Sequence, residues 1–168
     1  MLIGMNRRGF TIVELAVVIT IMGILLVLGV VNLNATQANA RDAERKTDIE
    51  TIATHLETFY TSGTDGSTTI GDYPSTSIIG QEQTILRDIN PKSLIAPGAS
   101  SSSFVAATNN TQTTGGVTPQ PTISQYIYQP LQSDGSLCTL DIQECRRFNL
   151  YYRLEVDSTI YMVTSKNQ

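Results

Sequence analysis

The hydrophobic and polar positions of this chain fall into three stretches with different periods. Between residues 10 and 31 nearly every position is apolar, and Glu14 is the one charged side chain. A helix over this stretch would be about 33 Å long, close to the roughly 30 Å hydrocarbon core of a bilayer. The first pattern therefore predicts a membrane-spanning helix.

Residues 32–62 continue as a helix with a single apolar stripe. Apolar side chains recur at steps of three and four: Ile49, Ile52, Leu56 and Phe59. The charged side chains are assigned to the solvent-facing sides: Arg41, Asp42, Glu44, Arg45, Lys46, Asp48, Glu50 and Glu57. Because Gly63 is a natural helix stop, we expect one helix over residues 10–62, about 80 Å long, whose second half packs on a globular part.

Residues 63–168 are predicted to form that globular domain, and their pattern changes to a period of two. Phe148–Val156 alternates apolar and polar side chains, Ile160–Ser165 follows after a turn, and Tyr126–Gln129 supplies an earlier strand. Three antiparallel strands would leave one face for the helical stripe to cover. The predicted fold class is α+β: a long N-terminal helix packed on a small antiparallel sheet.

A polar segment interrupts this domain. Residues 93–133 contain no charged side chain, and about 93–122 is rich in Ser, Thr, Asn, Gln, Gly and Pro. Such a composition buries little apolar surface, so we expect an exposed, mobile and variable loop. Asn109-Asn110-Thr111 within it is a formal glycosylation sequon.

Composition and charge exclude several functions. The chain has no Trp, one His, two Cys and a net charge of −4, which argues against nucleic-acid binding. We find no nucleophile with a base, no phosphate loop and no metal cluster, so we expect no enzyme activity and no cofactor. His55 lacks a second ligand and is expected to be a partly buried helix residue. Cys138 and Cys145 are predicted to form a disulfide, because a close cysteine pair in an exported domain favours one.

The start of the chain resembles a known family. Arg7-Arg8-Gly9-Phe10-Thr11-Ile12-Val13-Glu14-Leu15, followed by an apolar helix, is similar to the class III signal of type IV prepilins and type II secretion pseudopilins. The resemblance implies that residues 1–9 are a cytoplasmic leader cut after Gly9. Phe10 then becomes the N-methylated N-terminus, and Glu14 is the family's acidic residue. Partners implied are other pilins, a prepilin peptidase, and an inner-membrane assembly platform with a cytoplasmic ATPase.

The lone carboxylate gives this resemblance a physical basis. An ionisable side chain inside a membrane span implies a partner, and leader cleavage creates a cation at the Phe10 amine. A neighbouring subunit could offer that amine to Glu14 and so fix the axial register between subunits. The family often has a proline near position 31, which is absent here, so Gly23 and Gly29 are the positions where the helix could loosen.

The resemblance implies a location and leaves alternatives open. Arg7 and Arg8 predict a single-pass precursor in the cytoplasmic membrane with its N-terminus inside, followed by a filament at the cell surface. Such a filament would support adhesion, motility or DNA uptake. A type II secretion pseudopilin is one alternative, in which Asp134, Asp141 and Glu144 could bind calcium, although their spacing matches no known loop. A soluble secreted binding domain released after Ala40 is the other.

Overall fold

The computed structural model describes residues 9–63 and 70–167. The chain divides into two compact units, Met1–Ala38 and Asn39–Gln168. The basic pair Arg7 and Arg8 lies outside the described residues.

Helix α1 spans Ile12–Ser62, within two residues of the bounds predicted from the pattern. It remains helical through Gly23 and Gly29. Gly63 ends it as predicted: its φ of 63° lies in the left-handed region, and its N–H donates to the Phe59 carbonyl at 2.7 Å. The sequence therefore determines the C-terminal end of this helix locally.

The second unit contains a four-stranded sheet in the order β1-β2-β3-β4. The strands are β1 (Phe104–Ala106), β2 (Tyr126–Leu131), β3 (Arg147–Arg153) and β4 (Ile160–Thr164). The three predicted strands pair antiparallel, whereas β1 pairs parallel with β2. The α+β fold class is confirmed and the predicted strands form the antiparallel part of the sheet, whereas the unpredicted parallel strand β1 makes the sheet mixed. Short elements precede it: 3₁₀ turns Thr76–Ile78 and Pro91–Leu94, and helix α2 (Glu82–Ile85).

The main core lies between the second half of α1 and one face of the sheet. The predicted stripe residues Ile49, Ile52 and Leu56 are fully buried, and Phe59 is partly buried beside them. They share a cluster with inward-facing residues of β2 and β3: Tyr126, Tyr128, Phe148, Leu150 and Tyr152. The period of 3.6 in the helix and the period of two in the strands therefore meet in one core.

The opposite face of the sheet is also covered, by the polar segment expected to be an exposed loop. Ala107 and Val117 from this segment are buried against Ile127 and Tyr151. The fully buried Gln129 side chain donates to the carbonyls of Asn109 and Thr111. Most residues between 98 and 122 are exposed, but a few apolar side chains and hydrogen bonds hold the segment on the sheet, which the sequence did not predict.

Candidate assembly site

The first turn of α1 is closed by Thr11 and Glu14. The backbone N–H and the hydroxyl of Thr11 both donate to Oε2 of Glu14 at 3.0 Å. The N–H of Glu14 donates to Oγ1 of Thr11 at 3.2 Å. This is a capping box, in which two residues three positions apart satisfy each other's free N–H groups at a helix start.

The predicted processing residues directly precede this turn. Gly9 and Phe10 lie just before α1, and the Phe10 side chain is 88% exposed. The partner of Glu14 within its own chain is thus Thr11, which the sequence analysis did not identify. The T-x-x-E spacing at a helix start was the signal that could have revealed it.

The first half of α1 exposes a continuous apolar surface. None of its most apolar 18-residue stretch is buried. By length and composition this helix can cross a membrane. Exposed apolar side chains cover all of its sides; they include Ile12, Leu15, Ile19, Met22, Leu25, Leu26 and Leu28. A surface of this size on one chain requires lipid or other protein to cover it.

A buried polar cluster joins the second half of α1 to distant parts of the second unit. Arg45 is 1% exposed; its guanidinium donates to Asp42 at 2.8 Å and to the Ile123 carbonyl at 2.9 Å. Asp42 in turn accepts the backbone N–H groups of Glu155 and Val156. The expectation that Asp42 and Arg45 face solvent was therefore wrong.

These contacts also explain where β3 stops. Because the Asp42 carboxylate binds the two N–H groups that follow Leu154, the chain turns away from the sheet at this point. The strand ends at Arg153, not at Val156 as predicted, and Val156 is 59% exposed. Arg41 adds two hydrogen bonds to Glu155, at 2.6 and 2.9 Å, and these help to lower the pKa of Glu155 to about 2.

Asp48 is a second acidic residue that the structure buries against expectation. Its side chain accepts a hydrogen bond from the Tyr126 hydroxyl at 2.9 Å, and the residue is 7% exposed. Burial is the main cause that raises the pKa of Asp48 to about 6. This carboxyl group therefore titrates close to neutral pH.

The predicted disulfide between Cys138 and Cys145 is present, with a Cα–Cα distance of 5.8 Å. It closes a loop in which Asp141 accepts hydrogen bonds from the hydroxyls of Ser75 and Ser77. The other carboxylates considered for calcium have different partners: Glu144 pairs with Arg146, and Asp134 binds Ser136. Among the described residues, no group of three or more His, Cys, Asp or Glu side chains could hold a metal ion.

The structure also shows the surroundings of two other residues singled out from the sequence, His55 and Asn109. His55 is partly buried on α1, as expected. Nδ2 of Asn109 donates to the Gly116 carbonyl at 2.8 Å, and its Oδ1 accepts the N–H of Thr118 at 3.0 Å. These two hydrogen bonds give Asn109 a role in holding the polar segment.

Comparison with known proteins gives a family match at the N-terminal end of the chain and a match to a type IV pilin. The prokaryotic N-terminal methylation motif matches residues 4–30. The type IV major pilin protein PilA of Myxococcus xanthus (strain DK1622) is 35% identical over 55 residues, which are 33% of this chain and 25% of that relative. The alignment thus spans about a quarter of the relative's length. No solved structure matches significantly.

Proposed function

We propose that this chain, whose N-terminal region carries the methylation motif of the type IV pilin family, is the structural subunit of a type IV pilus or a related filament. The pilin family is structural and not enzymatic, so no catalytic role is assigned. The chain is made as a prepilin, held in the cytoplasmic membrane with its N-terminus inside, cut after Gly9 and methylated at Phe10.

One observation carries this proposal: the unburied apolar half of α1 directly follows the processing motif. Lipid covers this surface while the precursor is in the membrane. After assembly, the same surface is covered by the apolar helices of other copies or of related pilins. The prepilin peptidase, the assembly platform and its ATPase are the partners that this route requires.

Glu14 sets the register between subunits in this proposal. In the uncleaved chain, its carboxylate is bound by the N–H and hydroxyl of Thr11. Cleavage after Gly9 creates a cationic amine at Phe10, and a neighbouring subunit shifted along the axis presents its own amine to the same carboxylate. Assembly then replaces a hydrogen-bonded carboxylate by an ion pair in a water-poor environment.

The test uses substitutions at both residues and electron microscopy of sheared filaments. Glu14→Ala should leave cleaved protein in the membrane and few filaments. Thr11→Ser keeps the capping hydroxyl and should assemble normally, which makes it the matched control for a change in this turn that leaves Glu14 in place. Mass spectrometry of the filaments shows whether this chain is their main component. Normal filaments from Glu14→Ala would refute the pairing argument.

The secreted-domain alternative has one structural observation in its favour. The second compact unit begins at Asn39, next to the candidate signal-peptidase site after Ala40. N-terminal sequencing of the native product separates the two functions, because the pilin begins with N-methylated Phe10 and the secreted domain begins with Arg41. A pseudopilin would also begin at Phe10, but this chain would then not dominate surface filaments.

A further inference from the structure

The outer edge of strand β4 has no neighbouring strand in the part of the chain that the structure describes. The sheet order ends at β4, which spans Ile160–Thr164 and pairs on its inner side with β3. Natural sheets protect such edges with short strands, proline or charged side chains. The opposite edge of this sheet follows that rule, because β1 has only three residues. In contrast, β4 has five residues, and none of them is proline or charged.

The hydrogen bonds to β3 show which backbone groups of β4 face this open edge. The N–H of Leu154 donates to the Thr159 carbonyl at 3.1 Å. The N–H of Ser165 donates to the Phe148 carbonyl at 3.0 Å. Because backbone groups alternate in direction along a strand, every second residue from Thr159 to Ser165 faces β3. The residues between them direct their N–H and carbonyl groups away from the sheet: Ile160, Met162 and Thr164.

These outward-facing residues are spaced symmetrically about Met162, so the edge is complementary to itself. In an antiparallel pair of two copies with Met162 opposite Met162, Ile160 of one copy lies opposite Thr164 of the other. Each of the three facing pairs can then exchange two backbone hydrogen bonds, as in an ordinary antiparallel ladder. Met162 at the centre is 39% exposed, and the second copy would cover part of it.

The charged residues that flank β4 favour the antiparallel arrangement of two copies. Asp157 precedes the strand, Lys166 follows it, and both are exposed. In the antiparallel pair, Lys166 of one copy comes opposite Ser158 of the other and next to its Asp157, so opposite charges meet at both ends. A parallel pair would place Lys166 beside Lys166 and Asp157 beside Asp157, and like charges would repel.

We propose that β4 is an interaction surface for the same strand of a second copy of this chain. The two copies pair antiparallel about Met162 and join two four-stranded sheets into one. Such a two-fold contact closes on itself, so it links two copies and does not extend a filament. The proposal uses only residues of the second unit and is independent of the proposed function. Because one strand per copy buries less area than a standard interface, we expect weak pairing that crosslinking can trap.

Cysteine crosslinking of the full chain in detergent micelles tests this pairing. Met162→Cys would place two cysteines opposite each other with about 5.5 Å between their Cα atoms, a distance that a disulfide can span. Val156→Cys is the matched control, because Val156 is 59% exposed but lies outside β4. With copper phenanthroline as the oxidant, we expect Met162→Cys to form a covalent dimer at least about tenfold faster than Val156→Cys. Random collisions would instead favour the more exposed control position.

Two further substitutions in the Met162→Cys chain test the hydrogen bonds and the charges. Thr164→Pro removes one outward N–H and keeps the pairing with β3, so it should slow crosslinking. Lys166→Glu brings two acids together at each end, so it should slow crosslinking at low salt and much less at high salt. Near-UV circular dichroism of the buried tyrosines checks that both variants are folded.

Two outcomes would overturn the proposal. The first is that Met162→Cys crosslinks no faster than Val156→Cys. The second is that Met162→Cys crosslinks to a Val105→Cys chain in preference to itself, which would assign pairing between the unlike edges β4 and β1. Neither outcome depends on how well the proline or glutamate variant folds.

Discussion

Replacing Asp48 with Asn should stabilise the second unit at high pH and leave it nearly unchanged at low pH. Asp48 lies 7% exposed on the core side of α1, where it accepts a hydrogen bond from the Tyr126 hydroxyl. An asparagine has nearly the same shape, and its side-chain oxygen can accept the same bond. The substitution therefore removes mainly the charge.

The sign and size of the effect follow from the pKa of Asp48. Burial raises this pKa from 3.8 to about 6, so between these values the folded protein holds a proton that the unfolded chain has lost. Stability from this group is therefore greatest below about pH 4 and decreases as the pH rises through 6. The full loss corresponds to about 3 kcal/mol, so Asp48→Asn should gain about 2 to 3 kcal/mol at pH 8.

The assay is denaturant unfolding of the full chain in micelles at several pH values between 4 and 8. Because the chain has no Trp and seven Tyr, near-UV circular dichroism of the buried tyrosines reports on the second unit. Glu50→Gln is the matched control, since Glu50 is an exposed acid on the same helix. If Asp48→Asn differs from the parent chain by the same amount at every pH, or is less stable at pH 8, the assignment of a costly buried charge is refuted.

Three further substitutions test other parts of the second unit. Arg45→Ala should lower the free energy of unfolding by about 3 to 5 kcal/mol, because it leaves the buried Asp42 carboxylate without its cation. Arg41→Ala removes a more exposed arginine of the same helix, and a loss for Arg45→Ala no larger than for Arg41→Ala would contradict this. Replacing Cys138 and Cys145 by Ser should lower the free energy of unfolding by about 2 to 3 kcal/mol relative to the oxidised parent chain, and reduction of the parent chain should cause the same loss; a double variant as stable as the oxidised parent would contradict this. Asn109→Asp removes the amide donor to Gly116 and should cost about 1 to 2 kcal/mol; a free energy of unfolding equal to that of the parent chain would contradict this.

The sequence pattern predicted the parts of the fold that depend on local periodicity. The stripe of Ile49, Ile52 and Leu56 and the alternation around Phe148 and Leu150 were enough to place the main core. Both signals succeed because the period of a helix or strand decides which side chains share a face. The end of α1 at Gly63 was predictable for the same local reason.

Burial of charged side chains was not predictable in this way. Asp42 and Arg45 continue the same stripe toward the N-terminus, at steps of three and four from Ile49. They were predicted to face solvent because they are charged, and a charged side chain is buried only where partners compensate its charge. Those partners are Glu155 and the Ile123 carbonyl, which are distant in sequence and cannot be inferred from a pattern along the helix.

The covering of the second sheet face was not predicted from the sequence, for a related reason. The polar segment contains few apolar residues, and its average composition indicated exposure. Its position depends instead on the burial of Ala107 and Val117 against the sheet and on the pairing of β1 with β2. The Gln129 amide then binds the carbonyls of Asn109 and Thr111, so a buried polar side chain supplies the contact that composition could not indicate.

The capping box at the start of α1 changes the role that the Glu14 carboxylate is expected to have in assembly. An unpaired acid in lipid would drive association by its own instability. In this chain the acid is already bound by two donors of Thr11, so under the proposed function a precursor in the membrane would need no further partner for it. The driving force for pairing is then a difference in interaction free energy: the carboxylate interacts more favourably with a neighbour's cationic amine than with these neutral donors. Under the proposed function that amine would exist only after cleavage at Gly9, so this geometry predicts that processing comes before polymerisation.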